Sequence, residues 1–396
     1  MLVAIFGLLP GLIGVSTVIE VILLSIAYAL TLFGIGKVQG IGVLPVFNKY
    51  TDGFIVGFVL LWFALGAVHG FVGAANLFVL LRYVILAYLV AKYLSIKDIE
   101  RISWIIFLLG ISQIVIGCLQ MAGVLPWVMT DVLLVKEGLY GVFKDNISYA
   151  AILLVAMIVY VEILNKASSF RTVVVSLLFI CFIFLSESRA FFLLGFVYFL
   201  VAVLKVRMSV LLIAVGGGAA LLVASGLGLG ESNQDFLFFL SDAYINMAMH
   251  QRLGLLVELL PQFITSPNIF FGFGSDKDLA VDQIIYSYNF YFIFTDDLPV
   301  IIEDVYWLTM LIYYGIIGTF FFLFYIIGVY CTGRKIQRLT GGNAGVVNAF
   351  IWLFFLALAL GMTGQVFEVK AYSLFFWIYV GALAVVRREL YERTSN

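Results

Sequence analysis

Residues 227–304 decide the architecture of this chain; they begin LGLGESNQDF at residue 227 and end YFIFTDDLPVIIED at residue 304. The stretch carries eleven acidic residues against two basic ones, Arg252 and Lys277, whereas the chain on either side is almost continuously apolar. Binding residues concentrate in loops that a rigid scaffold presents. We therefore expect the functional chemistry in or under this loop and expect the rest of the chain to be its scaffold.

The composition predicts a polytopic integral membrane protein. Of the 396 residues, 64% are hydrophobic and only 11% are charged, whereas a soluble globular chain has roughly 25% charged residues. A net charge of −1 gives no indication of a nucleic-acid partner. The cysteines, Cys118, Cys181 and Cys331, lie in or beside apolar runs, so they indicate neither a disulfide framework nor a zinc site.

Twelve segments are apolar enough to be spanning helices, which need about 20 mainly apolar residues. Residues 2–35 are compatible with either of two arrangements: one tilted helix, or two helices with a break between Pro10 and Glu20. The pattern predicts an all-α membrane protein with transmembrane helices in 1–226, a large external loop in 227–304, and transmembrane helices with a cytoplasmic tail in 305–396. The predicted spans are 2–17, 18–35, 53–70, 76–95, 102–124, 147–164, 170–186, 189–205, 208–226, 305–330, 346–363 and 370–387.

The basic residues predict the orientation of the chain in the membrane. With twelve spans, fifteen of the twenty-two lysines and arginines fall on the side of the N-terminus and six on the other side, with Arg82 inside a span. Lysine and arginine accumulate in cytoplasmic loops. We therefore expect the loop 227–304 to face the outside, which is the periplasm in a cell that has one.

Three arginines on the predicted outer side are candidates for binding an anionic group. Arg82 lies roughly two turns below the outer surface of the fourth span, where a charge is paired or lines a wet cavity. Arg189 follows a Ser-Glu-Ser turn at an outer hairpin, and Arg252 lies in a helix-like part of the loop. A guanidinium group suits bidentate contact with phosphate. The structural alternative pairs Arg189 with Glu187, and Arg252 with a carboxylate of the loop.

Four short motifs resemble, in order, those of the bacterial Wzy-type polysaccharide polymerases, in the superfamily of O-antigen polymerases and O-antigen ligases. GLYGVFKDN at 138–146 is similar to the family's Gly-x-Phe-x-x-Asn, and SESRA at 186–190 is similar to its Ser-x-Ser-Arg. Arg252 is followed by Pro-Asn at 267–268 and Gly-Phe-Gly at 272–274. EDVYW at 303–307 precedes YGIIG at 314–318, similar to a polar pair before a Gly-x-x-Gly helix.

The resemblance implies a GT-C-like glycosyltransferase in the bacterial inner membrane that needs no cofactor and no metal. Its substrates and partners would be undecaprenyl-pyrophosphate-linked oligosaccharides, membrane lipid and a membrane protein that regulates chain length. A hydroxyl of one lipid-linked repeat unit would attack the anomeric carbon of another, with inversion and loss of undecaprenyl pyrophosphate. The resemblance implies pyrophosphate binding by Arg189 and Arg252, and contact with the glycan by Lys144 and Asn146 of the first motif. Arg82 is a further pyrophosphate candidate because of its charge inside a span, and not because of a motif.

The attacking hydroxyl benefits from a nearby base. Glu303, Asp304 and His250 are the candidates, and a structural role for them is equally open. In many relatives, and notably the ligases, a histidine stands at the place of Glu303. This difference disfavours an O-antigen ligase acting on lipid A–core, which is the alternative enzyme. A transporter or flippase of lipid-linked anions is the alternative of another class, but the sequence shows neither the paired repeats nor the broken helices in corresponding halves that are typical of one.

Two further features of the loop have competing interpretations. Asp276 and Asp278 match a metal-binding Asp-x-Asp, but such matches are common in an acidic loop, and we expect no metal. Tyr288 and Tyr291 lie in an aromatic run and are candidates for stacking on sugar rings. An interfacial belt of aromatic residues is the more frequent reason for such a run.

Overall fold

The computed structural model describes residues 47, 49–69, 74–124, 139, 141, 146–165, 170–207, 260–273, 305–340, 344–361 and 370–395. Within these ranges the chain forms α-helices and contains no β-strand. Two π-helical turns, Tyr160–Leu164 and Phe199–Val203, continue α4 and α6. The helices are α1 Lys49–His69, α2 Ala74–Tyr93, α3 Ile96–Met121, α4 Asn146–Val159, α5 Phe170–Leu185, α6 Arg189–Tyr198, α7 Leu260–Thr265, α8 Tyr306–Leu339, α9 Gly345–Leu360 and α10 Lys370–Ser395.

Three helices in the described ranges are long and apolar enough to cross a membrane: Ile96–Met121, Asn146–Leu164 and Tyr306–Leu339. Every predicted span that falls within the described ranges coincides with a helix. The described part of the chain is therefore all-α, with helices suited to a membrane, as the composition predicts. The predicted spans 2–17, 18–35 and 208–226 lie outside the described residues, as does most of the loop 227–304.

Helix α4 is the centre of the bundle. Every side chain from Tyr149 to Val159 is fully buried, and α4 packs against α3, α5, α6, α9 and α10. A helix that is apolar on all sides is buried on all sides. On α3, Gly110 allows close approach to α4, because a Cβ at that position would overlap the side chain of Ala156.

The alternating directions of the helices give the bundle two ends with different composition. The Ser186 end contains the turn between α5 and α6, the C-terminus of α3, and the N-termini of α4, α6, α8 and α10. The rings of Phe191 on α6 and Tyr372 on α10 are in contact near this end. The Glu162 end contains the π-helical turn after α4, the N-termini of α3 and α9, and the C-termini of α8 and α10. Asn146 and Glu162 are separated by about 24 Å along α4.

Helix α8 is interrupted at Gly315, where φ is 64° and ψ is −174°. This backbone conformation is essentially restricted to glycine. The sequence predicts a single span at 305–330, whereas the structure has two helical parts on either side of the break, and the second continues to Leu339. The break leaves main-chain amides without partners inside the helix, and such groups need partners from elsewhere.

Candidate functional site at the Ser186 end

The turn at residues 186–188, hereafter the Ser186 turn, fixes the main chain that leads to Arg189. Ser186 is fully buried; its hydroxyl donates to the Ile183 carbonyl at 2.6 Å and accepts from the Ser188 amide at 3.3 Å. Glu187 is exposed and has a φ of 58°, a conformation that costs a non-glycine residue about 1 kcal/mol or more. Arg189 is the exposed first residue of α6. The turn therefore holds Arg189 at the surface of the Ser186 end.

Asn146 joins the first motif to the second. Its side chain is buried, and the amide nitrogen donates to the Ser186 carbonyl oxygen at 2.9 Å. The Leu139 amide donates to the Leu185 carbonyl at 3.0 Å. Two motifs that are 40 residues apart in the sequence therefore meet at one turn. The bond to Ser186 gives Asn146 a structural contact, and its role in glycan binding stays a prediction.

Gln120 on α3 binds both main-chain groups of Gly141 in the first motif, and Gln113 of the same helix lies against this glycine. The Gln120 amide nitrogen donates to the Gly141 carbonyl at 2.8 Å, and its carbonyl oxygen accepts from the Gly141 amide at 3.2 Å. Gly141 has a φ of 58°, and a Cβ there would overlap Gln113 and Tyr149. The sequence interpretation missed both glutamines. Their spacing of seven residues places them on one face of a predicted span, and polar residues inside a span indicate an interior contact.

The third and fourth motifs meet at the break in α8. We call residues 266–273 the latch segment, because its main chain is bonded to α8 around Gly315. The Ile316 amide donates to the Ile269 carbonyl at 2.9 Å and the Ile317 amide to the Phe270 carbonyl at 3.1 Å. In the other direction, the Phe273 amide donates to the α8 carbonyl of Ile312 at 3.0 Å. The first two bonds supply acceptors to α8 amides that the break leaves without a helical partner, and the third supplies a donor to an α8 carbonyl.

Basic residues are distributed unequally between the two ends. Of the sixteen lysines and arginines in the described ranges, thirteen lie at the Glu162 end, Arg189 and Lys370 lie at the Ser186 end, and Arg82 lies on α2. The buried polar side chains around the Ser186 turn are neutral amides and hydroxyls. An anion at the Ser186 end would therefore meet the Arg189 guanidinium, next to the exposed Glu187 and beside buried side chains that are neutral and hydrogen-bonded.

The Glu162 end contains a cavity of about 390 Å³. Its lining includes the carboxyl groups of Glu100, Glu162 and Glu389. The Tyr198 hydroxyl donates to Glu162 Oε1 at 3.1 Å, and the Ile96 amide donates to Glu389 Oε1 at 3.2 Å. Among the residues that the structure describes, no group of three or more His, Cys, Asp or Glu side chains is arranged to hold a metal ion. Three carboxylates in the lining make this cavity unfavourable for a phosphate group.

Most of the other predicted site residues lie outside the described part of the chain. Arg82 is on α2, but its side chain is outside the described part as well. Val305, which directly follows the predicted polar pair, is buried at the start of α8. The predicted site residues outside the described ranges are Lys144, His250, Arg252, Tyr288, Tyr291, Glu303 and Asp304.

No protein-family model matches the sequence, and no curated protein matches it. The resemblance to the Wzy-type polymerases therefore rests on the four motifs. In the structure, the first of these motifs contacts the second and the third contacts the fourth.

Proposed function

We propose that this protein is a polysaccharide polymerase of the bacterial inner membrane, which makes an O-antigen, capsule or exopolysaccharide. It would join undecaprenyl-pyrophosphate-linked repeat units by inverting glycosyl transfer at the outer face. The observation that carries the proposal is the hydrogen bond from Asn146 to Ser186, because it joins two motifs at the turn that presents Arg189. Twelve spans and a GT-C-like architecture are part of the same proposal.

The charge distribution supports the proposed orientation. Thirteen basic residues of the described ranges lie at the Glu162 end and two at the Ser186 end. Since lysine and arginine accumulate on the cytoplasmic side, this asymmetry favours a periplasmic Ser186 end. A lipid pyrophosphate in the outer leaflet would then lie at the same level as Arg189.

In the proposed reaction, the oxygen of an acceptor hydroxyl forms a bond to the anomeric carbon of the donor sugar. The bond from that carbon to the pyrophosphate oxygen breaks, and its electron pair leaves with undecaprenyl pyrophosphate. Charge-assisted hydrogen bonds from guanidinium groups stabilise the charge that grows on the leaving oxygen. We assign this role to Arg189, Arg252 and Arg82.

The hydroxyl proton passes to a carboxylate or an imidazole in the proposed reaction. Glu303 and Asp304 are the first candidates, because they occupy the family's polar-pair position and directly precede α8 at the Ser186 end. Removal of a general base typically lowers the rate about 100- to 10,000-fold. Glu303→Gln and Asp304→Asn keep the shape of the side chains and remove their charge; if both retain normal turnover, His250 is the next candidate.

The decisive experiment gives the purified protein one substrate, a repeat unit linked to undecaprenyl pyrophosphate, in proteoliposomes that contain a metal chelator. A polymerase makes a ladder of longer lipid-linked glycans and releases undecaprenyl pyrophosphate. A ligase makes product only after lipid A–core is added. A flippase moves the unit across the bilayer and leaves its length unchanged. Either of the last two results would contradict the proposal.

A further inference from the structure

Helix α7 and the latch segment together form an uncharged, apolar stretch within the acidic loop. Residues 260–273 read LPQFITSPNIFFGF and contain no Asp, Glu, Lys or Arg. The Phe263 and Phe273 rings are buried against each other, with their centroids 6.2 Å apart. Ile264, Phe270 and Phe271 are exposed, at 52%, 57% and 52% of their full surface. Large apolar side chains exposed close together indicate a contact surface.

The position of the latch segment along α8 gives the level of this surface in the membrane. Residues 305–333 of the chain contain no charged residue, and Arg334 is the first basic residue towards the Glu162 end. Arg334 lies nineteen positions after Gly315, which corresponds to about 28 Å of helix. A bilayer has a hydrocarbon core of about 30 Å. Gly315, and the latch segment bonded to it, therefore lie where the hydrocarbon meets the headgroups of the leaflet at the Ser186 end.

The main-chain hydrogen bonds of the latch segment are consistent with a position at the boundary between hydrocarbon and headgroups. An irregular segment at the edge of the hydrocarbon needs protein partners for its polar groups. The latch segment has three main-chain bonds to α8, from Ile316, Ile317 and Phe273. Within the segment, the Gly272 amide donates to the Asn268 carbonyl at 2.6 Å.

We propose that residues 260–273 insert into the bilayer, with Ile264, Phe270 and Phe271 in contact with the acyl chains of the leaflet at the Ser186 end. Lipid is the partner that fits, because the surface is uncharged and lies at the hydrocarbon boundary. The inserted segment anchors the loop 227–304 to the membrane between two polar stretches, which the sequence interpretation treated as one external loop. This inference does not depend on glycosyl transfer.

Site-directed spin labelling in proteoliposomes tests the insertion. The three cysteines, which form no disulfide, are replaced, and single cysteines are introduced by Ile264→Cys, Phe270→Cys or Phe271→Cys. These side chains are exposed, so the labels leave the buried core unchanged. The measurement compares collisions of the label with oxygen, which concentrates in lipid, and with a nickel chelate, which stays in water. Inserted labels favour oxygen and report a depth of about 5–10 Å below the headgroups.

Two reference positions calibrate the result. Leu108 on α3 is 58% exposed in the middle of a candidate span and serves as the lipid reference. Arg101 has a side chain that is 78% exposed at the Glu162 end and serves as the water reference. Collision ratios between the two references, corresponding to a depth of about 5–10 Å, support the insertion. Ratios like that of Arg101→Cys would place the segment in water and overturn the proposal. Low accessibility to both reagents would also overturn it, because protein, from this chain or a second copy, would then cover the surface.

Discussion

The two ends of the bundle are built from the same helices but use different polar chemistry. At the Ser186 end, the neutral side chains of Gln120, Asn146 and Ser186 bind main-chain groups, and Arg189 is placed beside them. At the Glu162 end, carboxyl groups line a cavity, and most of the basic residues of the described ranges lie at the same end. Neutral amide side chains fix the shape of the turn without adding charge. They therefore do not weaken the attraction between the Arg189 guanidinium and a bound anion. The comparison favours the Ser186 end as the place for a pyrophosphate group.

The largest expected effect is a loss of folded protein, and it should distinguish the two parts of α8. Gly315→Ala places a Cβ against the main chain of Phe270 and forces a strained conformation on alanine, which by itself costs about 1–3 kcal/mol. At Gly333, in the part towards the Glu162 end, a Cβ would lie 3.1 Å from a ring atom of Phe350, which can move. We expect Gly315→Ala to lose most of its folded protein and Gly333→Ala to keep it, as measured by size-exclusion chromatography and thermal unfolding in detergent. Equal stability of the two variants would show that the break in α8 is dispensable.

The second-largest expected effect is on turnover, and it should differ between arginines at the two ends of the bundle. Arg189→Lys keeps the charge but loses the planar, two-pronged contact with a phosphate, and we expect turnover of the lipid-linked unit to fall about 100-fold. Arg334→Lys is the matched control, because this exposed arginine on α8 contacts Gln337 at the Glu162 end. Its turnover should be unchanged. Normal turnover of Arg189→Lys would remove this arginine from the pyrophosphate site, and loss of folded protein would favour an ion pair with Glu187.

A smaller effect is expected from the asparagines at the two ends. Asn146→Ala removes the donor to the buried Ser186 carbonyl, and a buried group without its partner costs about 1–3 kcal/mol. Asn348→Ala is the control; its side-chain oxygen accepts from Gln337 at 2.8 Å, and its side chain also contacts Glu162 beside the cavity, where water can replace the lost amide. Thermal unfolding should show a larger loss of stability for Asn146→Ala, together with lower turnover because the Ser186 turn is loosened. If the two variants are equally stable, the Asn146 bond does not hold the turn.

The smallest effect is expected at the Glu162 end. In Glu162→Gln, the amide oxygen still accepts from the Tyr198 hydroxyl, and the change lies about 24 Å from Asn146. Turnover should stay within about twofold of the wild-type value, as for substitutions away from an active site. The same assay of the lipid-linked unit measures it. A loss comparable with that of Arg189→Lys would move the functional site to the acidic cavity.

The positions of the helices could be predicted from the sequence because lipid requires long apolar segments. The predicted span 147–164 corresponds to Asn146–Leu164, and 170–186 corresponds to Phe170–Leu185. At α8 the prediction ends at residue 330 and the helix ends at Leu339. Hydropathy predicts only where the chain leaves the lipid. The helix itself can continue into water, because Arg334, Lys335 and Arg338 are soluble there.

The candidate site was predictable only in part. The motifs and Arg189 could be found in the sequence, but the contacts between motifs depend on packing that no local pattern encodes. The φ of Gly315 is one example, because the conformation requires the latch segment from elsewhere in the chain. Gln120, which binds Gly141, is another, since a polar residue in a span indicates a partner without identifying it. The predicted base and the second arginine, Arg252, lie outside the described residues and stay predictions.

The hydrogen bonds around Gly315 have a consequence for biosynthesis. Ile316 follows Ile269 by 47 residues, so the acceptor carbonyl leaves the ribosome well before its donor amide. At about 5–20 residues per second, the delay is roughly 2–9 s. During that time the carbonyls of Ile269 and Phe270 have no helix to bind, and water at the membrane surface has to serve as their partner. Assembly of this region therefore waits for the translation of α8, and a chain truncated before Ile316 cannot complete it.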